Sequence, residues 1–363
     1  MKKIKVLHVG LSSNIGGMEK VVESWGKYLP EDMIFDFVSV EKIPLAFEED
    51  WIAKGSTIHR ILPRKKYPLK STKQLEQIIK NGNYDYVHYH AMSLSWAEPI
   101  LLADKYHVNR IIHSHLAFGK SSLLSNRILH TIGKWRLKNT NYYKLACGDE
   151  AGKGMFDAID FLVIENAVDV KDMSFSEKGR LEIRERYGLK DTEYLIGHVG
   201  RATPQKNYPF ILSTFHELLK IRKDVKLMLV GNVDKDNEIQ EMIKNYHIEE
   251  FVICPGMIPE MKNYYSAMDL FFFPSLFEGL SVALVEAQAM NLPCIVSCNV
   301  AKESAITDLV EFTKIDDSKE VAQKISQRLK VTWNREKVRI PNDYRLENST
   351  KKIFDFYRNH LND

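Results

Sequence analysis

The chain has 363 residues, 44% hydrophobic and 27% charged, with a formal net charge of +3. That length exceeds one ordinary core and suits two domains of about 150 to 200 residues, while nothing approaches the roughly 18 consecutive apolar residues of a membrane-spanning helix. The four cysteines, Cys147, Cys254, Cys294 and Cys298, show neither CxxC nor zinc-ligand spacing, which argues for a reduced cytoplasmic protein rather than a disulfide scaffold or zinc module. Charge is uneven: between residues 51 and 144 sixteen Lys and Arg stand against four Asp and Glu, and the rest is net acidic. Such a block predicts an anionic partner, and with no nucleic-acid reader motif an acidic membrane surface is favoured over nucleic acid.

The start, MKKIKVLHVGLS, places basic residues before an apolar run, but the run is short, is interrupted by His8 and lacks a cleavage site. It reads as a first strand, residues 6–9, rather than a signal peptide. The loop that follows has glycines at 10, 16 and 17, not the G-x-G-x-x-G of a dinucleotide fingerprint. A helix from Met18 with Val21, Val22, Trp25 and Leu29 on one face is expected after it. Backbone at Gly16 and Gly17 is able to approach a phosphate, whereas Glu19 reads as structural. Strands at 35–40 and 56–62 and a helix near 71–80 come next. The segments YVHYH (86–90) and RIIHSH (110–115) are strand-like and end in polar residues. Ligands of open parallel sheets sit at the carboxyl ends of strands, so His88, His90, His113 and His115 are candidates, each equally readable as a satisfied core histidine. Residues 120–140 interleave Leu123, Leu124, Ile128, Leu129, Ile132, Trp135 and Leu137 with Lys and Arg. One side of such a helix suits a core and the other an anionic membrane surface. Lys120 is a candidate contact to an acceptor phosphate.

A strand at 143–147 and the segment FLVIENAVDV (161–170) lead into a charged, aperiodic stretch to about residue 188, which reads as the linker. A strand at 194–199 then opens onto GRATPQKNYPF. Arg201 and Lys206 lie there beyond a strand's carboxyl end and before a helix, where two cations would neutralise a diphosphate and the charge that develops as a bond to it breaks. After a strand at 225–230, Asp234 and Asp236 spell DxD, but they open a surface helix, where acids are ordinary. A short strand at 251–253 follows.

The most informative stretch is LFFFPSLFEGLSVALVEAQAMNLPCIVSC, residues 270–298. An apolar run stopped by Pro274 reads as a buried parallel strand. A turn containing Gly279 leads to a helix bearing Val282, Leu284, Val285, Ala287, Ala289 and Met290, and Pro293 marks the exit into another strand. Glu278 and Glu286 bracket the turn and helix. Were all eight steps helical, the two carboxylates would lie about 12 Å apart along the axis, the reach of a nucleoside diphosphate sugar from sugar hydroxyls to ribose. Helix-start amides between them would suit a diphosphate.

The run FEGLSVALVEAQA resembles the E-x7-E element of the retaining glycosyltransferases of family 4, which have the GT-B fold. By that resemblance Glu278, with Gly279 and Leu280, holds the donor sugar and Glu286 the ribose. Arg201 and Lys206 match the family's GR-x4-KN pattern, the turn at Gly16 and Gly17 faces the distal phosphate and sugar, and His115 lies near the donor sugar. His113 stands where threonine is usual, so its role is open, and backbone near 256–258 would meet the base. VIENAVDV resembles the segment joining the domains, with Ala167 in place of glycine. Asn291 likewise stands for glycine, and CNVAKESAIT replaces a glycine-rich turn, as in the exopolysaccharide and capsule branch. The resemblance implies an α/β protein with two Rossmann-like domains facing a central cleft. Residues 1–168 would bind the acceptor, 169–348 the nucleotide sugar, and 349–363 would form a helix crossing back to the first domain. The implied activity is retaining transfer of a hexose or N-acetylhexosamine from a nucleotide sugar, UDP-linked by expectation, to a glycan or polyprenyl-diphosphate-linked acceptor. It implies no metal or other cofactor; the basic block of residues 51–144 and the Trp135 stripe are what suggest a place on the inner face of the cytoplasmic membrane. A non-catalytic sugar-nucleotide-binding protein and a GT-B epimerase are the competing readings.

Overall fold

A computed structural model describes residues 3–116, 124–157, 160–335 and 340–361. Short apolar runs alternate with helical segments along the chain, and a parallel sheet covered by its own crossover helices buries such runs on both faces. The chain forms two units of this kind, residues 1–167 with 346–363 and residues 168–345.

In the first unit the strands are β1 (Ile4–Val9), β2 (Met33–Ser39), β3 (Ile58–Arg60), β4 (Tyr86–Ala91), β5 (Asn109–Ser114), β6 (Tyr143–Ala146) and β7 (Leu162–Val163). They pair in parallel in the order β3-β2-β1-β4-β5-β6-β7. Alternation along the central strands sends Leu7, Val9, Val87, Tyr89 and Ile112 into an apolar cluster on one face. The other face is made of imidazoles. His8 is in register with His88, and His90 with His113, so all four rings share that side. Trp25 of the helix Gly17–Trp25 and Tyr357 of the helix Leu346–Asn359 pack against them. The C-terminal helix thereby belongs to the first unit's core, with Ile353 and Tyr357 fully buried.

The second unit repeats the plan with β8 (Tyr194–Val199), β9 (Val225–Val230), β10 (Val252–Gly256), β11 (Leu270–Phe273), β12 (Cys294–Ser297) and β13 (Val310–Thr313), all parallel in the order β10-β9-β8-β11-β12-β13. Crossing from β8 to β11 reverses the direction of winding, and the loops after those two strands are the natural ligand site of such a sheet.

Several expectations are corrected. The stretch read as a linker contains the helix Glu177–Arg186, started by Ser176, whose hydroxyl accepts from the Gly179 amide at 3.0 Å. Its pattern is aperiodic because it is anchored mainly by arginines. Ile183 is buried, while Arg180 and Arg184 reach the Asp269 carboxylate at 2.7 and 3.3 Å. The first helix ends at Trp25 and leaves Leu29 outside it, and the strand expected over 56–62 shrinks to Ile58–Arg60 at the sheet edge. Ala167 has no left-handed backbone, so this turn does not call for glycine. Asn291 does adopt it, with φ 50°, the conformation asparagine tolerates best after glycine.

Candidate functional site

In the second unit the loops after β8 and β11 are stitched together by three consecutive residues. The Leu276 amide donates to the Gln205 carbonyl at 2.8 Å, and the Gln205 side chain donates to the Phe277 carbonyl at 3.0 Å. Asn207, held left-handed at φ 58° where a 3-10 turn passes into the helix Tyr208–Ile221, donates to the Pro274 carbonyl at 3.2 Å. Between them the Lys206 ammonium donates to Glu278 Oε1 at 2.7 Å, with only 15% and 10% of the two side chains exposed. Lys206 Nζ also lies 4.5 Å from the centroid of the Phe273 ring, a cation–π contact. Two groups expected to bind opposite parts of one ligand therefore neutralise each other. Arg201 behaves differently: its side chain is exposed and makes no ion pair among the described residues.

Glu286 is buried and accepts a hydrogen bond from the Tyr265 hydroxyl at 2.9 Å. Burial and the adjacent carboxylate hold that phenol well above its ordinary range, so Tyr265 remains a donor. The helix carrying Glu286 begins only at Val282, and Glu278 sits in extended chain bridged to Val300. The eight steps from Glu278 to Glu286 are thus half loop and half helix, and the expected all-helical 12 Å spacing does not apply. Ser281 starts the helix without a side-chain cap. Gly279 and Leu280 are buried beside Glu278, and the Gly279 carbonyl accepts from Ser304 Oγ at 3.2 Å. Gln288 ties the following loop down, donating to the Ser304 carbonyl at 2.8 Å and accepting from the Ile306 and Thr307 amides at 2.9 and 3.0 Å. The segment that replaces a glycine-rich turn is a buttress for the Glu278 loop.

His198 of β8 lay outside the expected set. Its Nδ1–H donates to the Phe272 carbonyl at 2.9 Å, which leaves a buried Nε2 lone pair without a partner among the described residues. Burial, and then the nearby Lys206 charge, lower this ring to about 3. An isolated histidine in an apolar strand carries no sequence signal of this kind.

In the first unit, the Glu19 carboxylate accepts from the Ser12 amide and hydroxyl at 3.0 and 2.7 Å, which fixes the glycine loop and bears out a structural role. Gly16 precedes the helix in ordinary extended backbone and Gly17 is exposed at its start. The stringent glycine is Gly10: φ is +109°, and a Cβ there would lie 2.3 Å from the His90 carbonyl oxygen. His115, just past β5, joins a hydrogen-bonded series of rings, with His8 Nδ1 and His90 Nε2 at 2.9 Å and His90 Nδ1 and His115 Nε2 at 2.9 Å. A second branch pairs Tyr357 with His88 at 2.6 Å and His88 with His113 at 3.2 Å. Hence His88, His90 and His113 are buried, hydrogen-bonded core residues, and of the candidate histidines His115 is the one left half-buried at the carboxyl edge. Lys120 lies outside the described residues.

Two histidine triads, His8/His88/His90 and His90/His113/His115, bring ring nitrogens within 4.8 Å of one another. The rings form a chain, with His90 using opposite nitrogens toward His8 and His115, rather than converging on a point. Paired nitrogens at 2.9 Å are also closer than the about 3.3 Å separating two ligands of a tetrahedral zinc ion. Of the DxD pair, Asp236 is engaged as the cap of the helix Asn237–Asn245, accepting from the Ile239 amide at 3.1 Å. Among the described residues no helix is long and apolar enough to cross a membrane.

Comparison with known proteins places this geometry. Residues 179–342 match the family model described as glycosyl transferases group 1. The UDP-Gal:alpha-D-GlcNAc-diphosphoundecaprenol alpha-1,3-galactosyltransferase of Escherichia coli is 25% identical over 98% of this chain and 97% of its own length. The capsular polysaccharide biosynthesis glycosyltransferase CapH of Staphylococcus aureus is 23% identical over 83% of each. Among solved structures, Anabaena Alr3699/HepE in complex with UDP-glucose superposes with a TM-score of 0.82, at 14% identity, over 98% of this chain and all of that one. The fold is that of the GT-B glycosyltransferases.

Proposed function

We propose that this chain, whose residues 179–342 match the group 1 glycosyl transferases, moves a hexose or N-acetylhexosamine from a UDP-linked donor, with retention, onto a polyprenyl-diphosphate-linked glycan of a surface polysaccharide. The observation that carries the reading is the Lys206–Glu278 ion pair, held in place by its neighbours Gln205 and Asn207. An incoming donor replaces one partner of each: the diphosphate takes the Lys206 ammonium, and sugar hydroxyls take the Glu278 carboxylate. Arg201, exposed on the same loop, adds a second cation to the diphosphate. Glu286, oriented by Tyr265, accepts from a ribose hydroxyl. Catalysis then rests on positioning and on charge stabilisation of the leaving diphosphate, whose own oxygen takes the acceptor proton. With cations supplied by Lys206 and Arg201, no metal is required. The relatives' printed activities, transfer to a diphosphoundecaprenol substrate and capsule biosynthesis, support this acceptor class.

The same reading puts the protein on the inner face of the cytoplasmic membrane. The helix Leu124–Arg136 packs inward through His130 and Gly133, and Ile128, Leu129, Ile132 and Trp135 are exposed, Trp135 by 66%. Lys138 lies 5.6 Å from the Trp135 ring and Arg127 is exposed nearby, whereas Lys134 and Arg136 are already paired with Asp157 and Glu98. Apolar insertion flanked by a few cations suits an anionic bilayer.

Incubation with UDP-sugars and a polyprenyl-diphosphate-linked acceptor, with and without EDTA, tests the function. Acceptor-dependent UDP release that survives EDTA and yields the retained anomer is expected. Tight UDP-sugar binding without release would support a binding protein, and an epimerised donor formed without acceptor would support an epimerase. Co-sedimentation with phosphatidylglycerol vesicles, lost in Trp135→Glu, tests the membrane assignment.

A further inference from the structure

The first unit holds a groove that none of the chemistry above employs. The helix Pro68–Asn81 buries Ser71, Leu75 and Ile79 in the core. Its adjoining stripe at i, i+3, i+4, i+7 and i+8, which is Lys70, Lys73, Gln74, Gln77 and Ile78, faces the edge strand β3 across a cavity of about 680 Å³, an ordinary volume for a small-molecule site. The helix returns the chain between two parallel strands and so runs against β3. Lys70 and Lys73 therefore lie at the end where β3 finishes, and Ile78 lies toward Ile58, where it begins. Between these ends Gln74 Oε1 accepts from the Leu62 amide at 2.8 Å, which pins the helix to the chain leaving the strand. Neither lysine makes an ion pair among the described residues, and the neighbouring acids are engaged, Glu76 by Lys105 and Glu48 by Arg60. The groove thus has a cationic end and an apolar end. Beside the cationic end the helix start exposes Leu69 by 85% and Tyr67 by 36%. That rim is joined to the helix Leu124–Arg136 through residues 94–96: the Arg64 guanidinium lies 5.1 Å from the Trp96 ring centroid, and the Leu94 amide donates to His130 Nδ1 at 3.2 Å.

We propose that this groove binds the lipid part of the acceptor, a polyprenyl diphosphate, with Lys70 and Lys73 on the diphosphate and the first isoprene units along Ile58, Leu62 and Ile78. The inference rests on the reading that the acceptor is polyprenyl-linked, and gives that lipid a place on the first unit. The lining selects this class. A neutral hydrocarbon chain would take two ammonium groups out of water with nothing to pair them. A lone phosphate would pair the lysines and leave the apolar end wet. An anionic head on a branched hydrocarbon satisfies both ends at once. Leu69 and Tyr67 at the rim, seated in the headgroup region of a bilayer, give the chain an apolar path from the membrane into the groove.

Isothermal titration of the intact protein with farnesyl diphosphate, with UDP saturating so that the donor's diphosphate site is filled, tests the groove. Farnesyl diphosphate is expected to bind, and farnesol and inorganic pyrophosphate each to bind at least about tenfold more weakly. Lys70→Glu combined with Lys73→Glu removes two charge-assisted contacts and should weaken farnesyl diphosphate about a hundredfold. Gln77→Trp fills the groove from an exposed position without touching the core, and should weaken it about tenfold. Both variants should raise the KM for a polyprenyl-linked acceptor and leave UDP affinity where it is. Farnesyl diphosphate that fails to bind, that binds no better than pyrophosphate, or that binds wild type and Gln77→Trp equally overturns the proposal. A double lysine variant that loses phosphatidylglycerol vesicles but keeps farnesyl diphosphate overturns it too, because the lysines are then a general membrane contact. Transfer to a lipid-free glycan at an unchanged KM refutes instead the reading that the acceptor is lipid-linked, and the groove's assignment falls with it.

Discussion

Replacing Glu278 by Gln should tighten the binding of UDP while impairing transfer, an opposite pair of effects that follows from the ion pair. Lys206 and Glu278 meet at 2.7 Å with side chains 15% and 10% exposed. Two unit charges in such a setting attract by about 4 kcal/mol at 4 Å when the effective dielectric is near 20, and most of that is offset by desolvation. To bind Lys206, the diphosphate of UDP must displace a carboxylate and then sit near it. Glutamine removes both the competition and the repulsion, and restoring even a third of the attraction to the ligand is worth about 1.4 kcal/mol, a tenfold lower Kd. A sugar donor loses its charged hydroxyl acceptor in the same variant, so kcat should fall about a hundredfold. Isothermal titration of wild type and Glu278→Gln with UDP at pH 7.5, alongside initial transfer rates, measures both. Thermal unfolding supplies a check: the variant leaves a largely buried ammonium without its counter-charge and should melt a few degrees lower, about 2 to 4 °C per kcal/mol for a unit of this size, and recover more than wild type when UDP is added. Lys206→Met should lose UDP affinity. If Glu278→Gln binds UDP no more tightly than wild type, or Lys206→Met binds it equally well, the pair does not stand in for the ligand.

Acid should unfold the first unit through its histidines. His8 and His115 are held at about 3, against 6.5 in the unfolded chain, so the unfolded state takes up protons first: stability is intact above pH 6.5 and is lost as pH falls from there toward 3. Each ring accounts for about 2 kcal/mol by pH 5, and His8→Phe should flatten the fall in urea midpoint between pH 7.5 and 5 by that amount; an unchanged slope would contradict it. Gly10→Ala, which forces a Cβ to 2.3 Å from the His90 carbonyl at φ +109°, should cost about 3 kcal/mol in urea unfolding, and a loss below 1 kcal/mol would mean the loop relaxes freely. Asp269→Ala strands Arg184, whose side chain is 4% exposed, and should destabilise the second unit by about 3 kcal/mol with faster amide exchange along Glu177–Arg186; exchange unchanged there would show the helix does not depend on that carboxylate.

Most strands and many of the helix positions were legible because each buries a periodic apolar set that local sequence displays. The strand–turn–helix around Glu278 was readable for the same reason: LFFF, Pro274, Gly279 and the apolar positions of 282–290 each carry a local signal. Where the anchoring group was polar, pattern failed. The helix Glu177–Arg186 looks like linker because arginines and a cap hold it, and its partner Asp269 lies some ninety residues along the chain. Alternation in YVHYH and RIIHSH did show that the histidines share a face, but not whether they line a site or a core.

By itself the sequence determined two parallel α/β layers and the chemical types at their strand ends, since short-range periodicity and turn residues suffice for that. Only the tertiary structure decided that Lys206 answers Glu278, that Gln288 braces the loop beneath Glu278, and that one histidine of the set remains at the edge while the others hold it. Those outcomes depend on which strands become neighbours and in what register, a matter of packing between segments up to eighty residues apart. No local preference encodes such a distance, because the free energy that selects it appears only when the layers close.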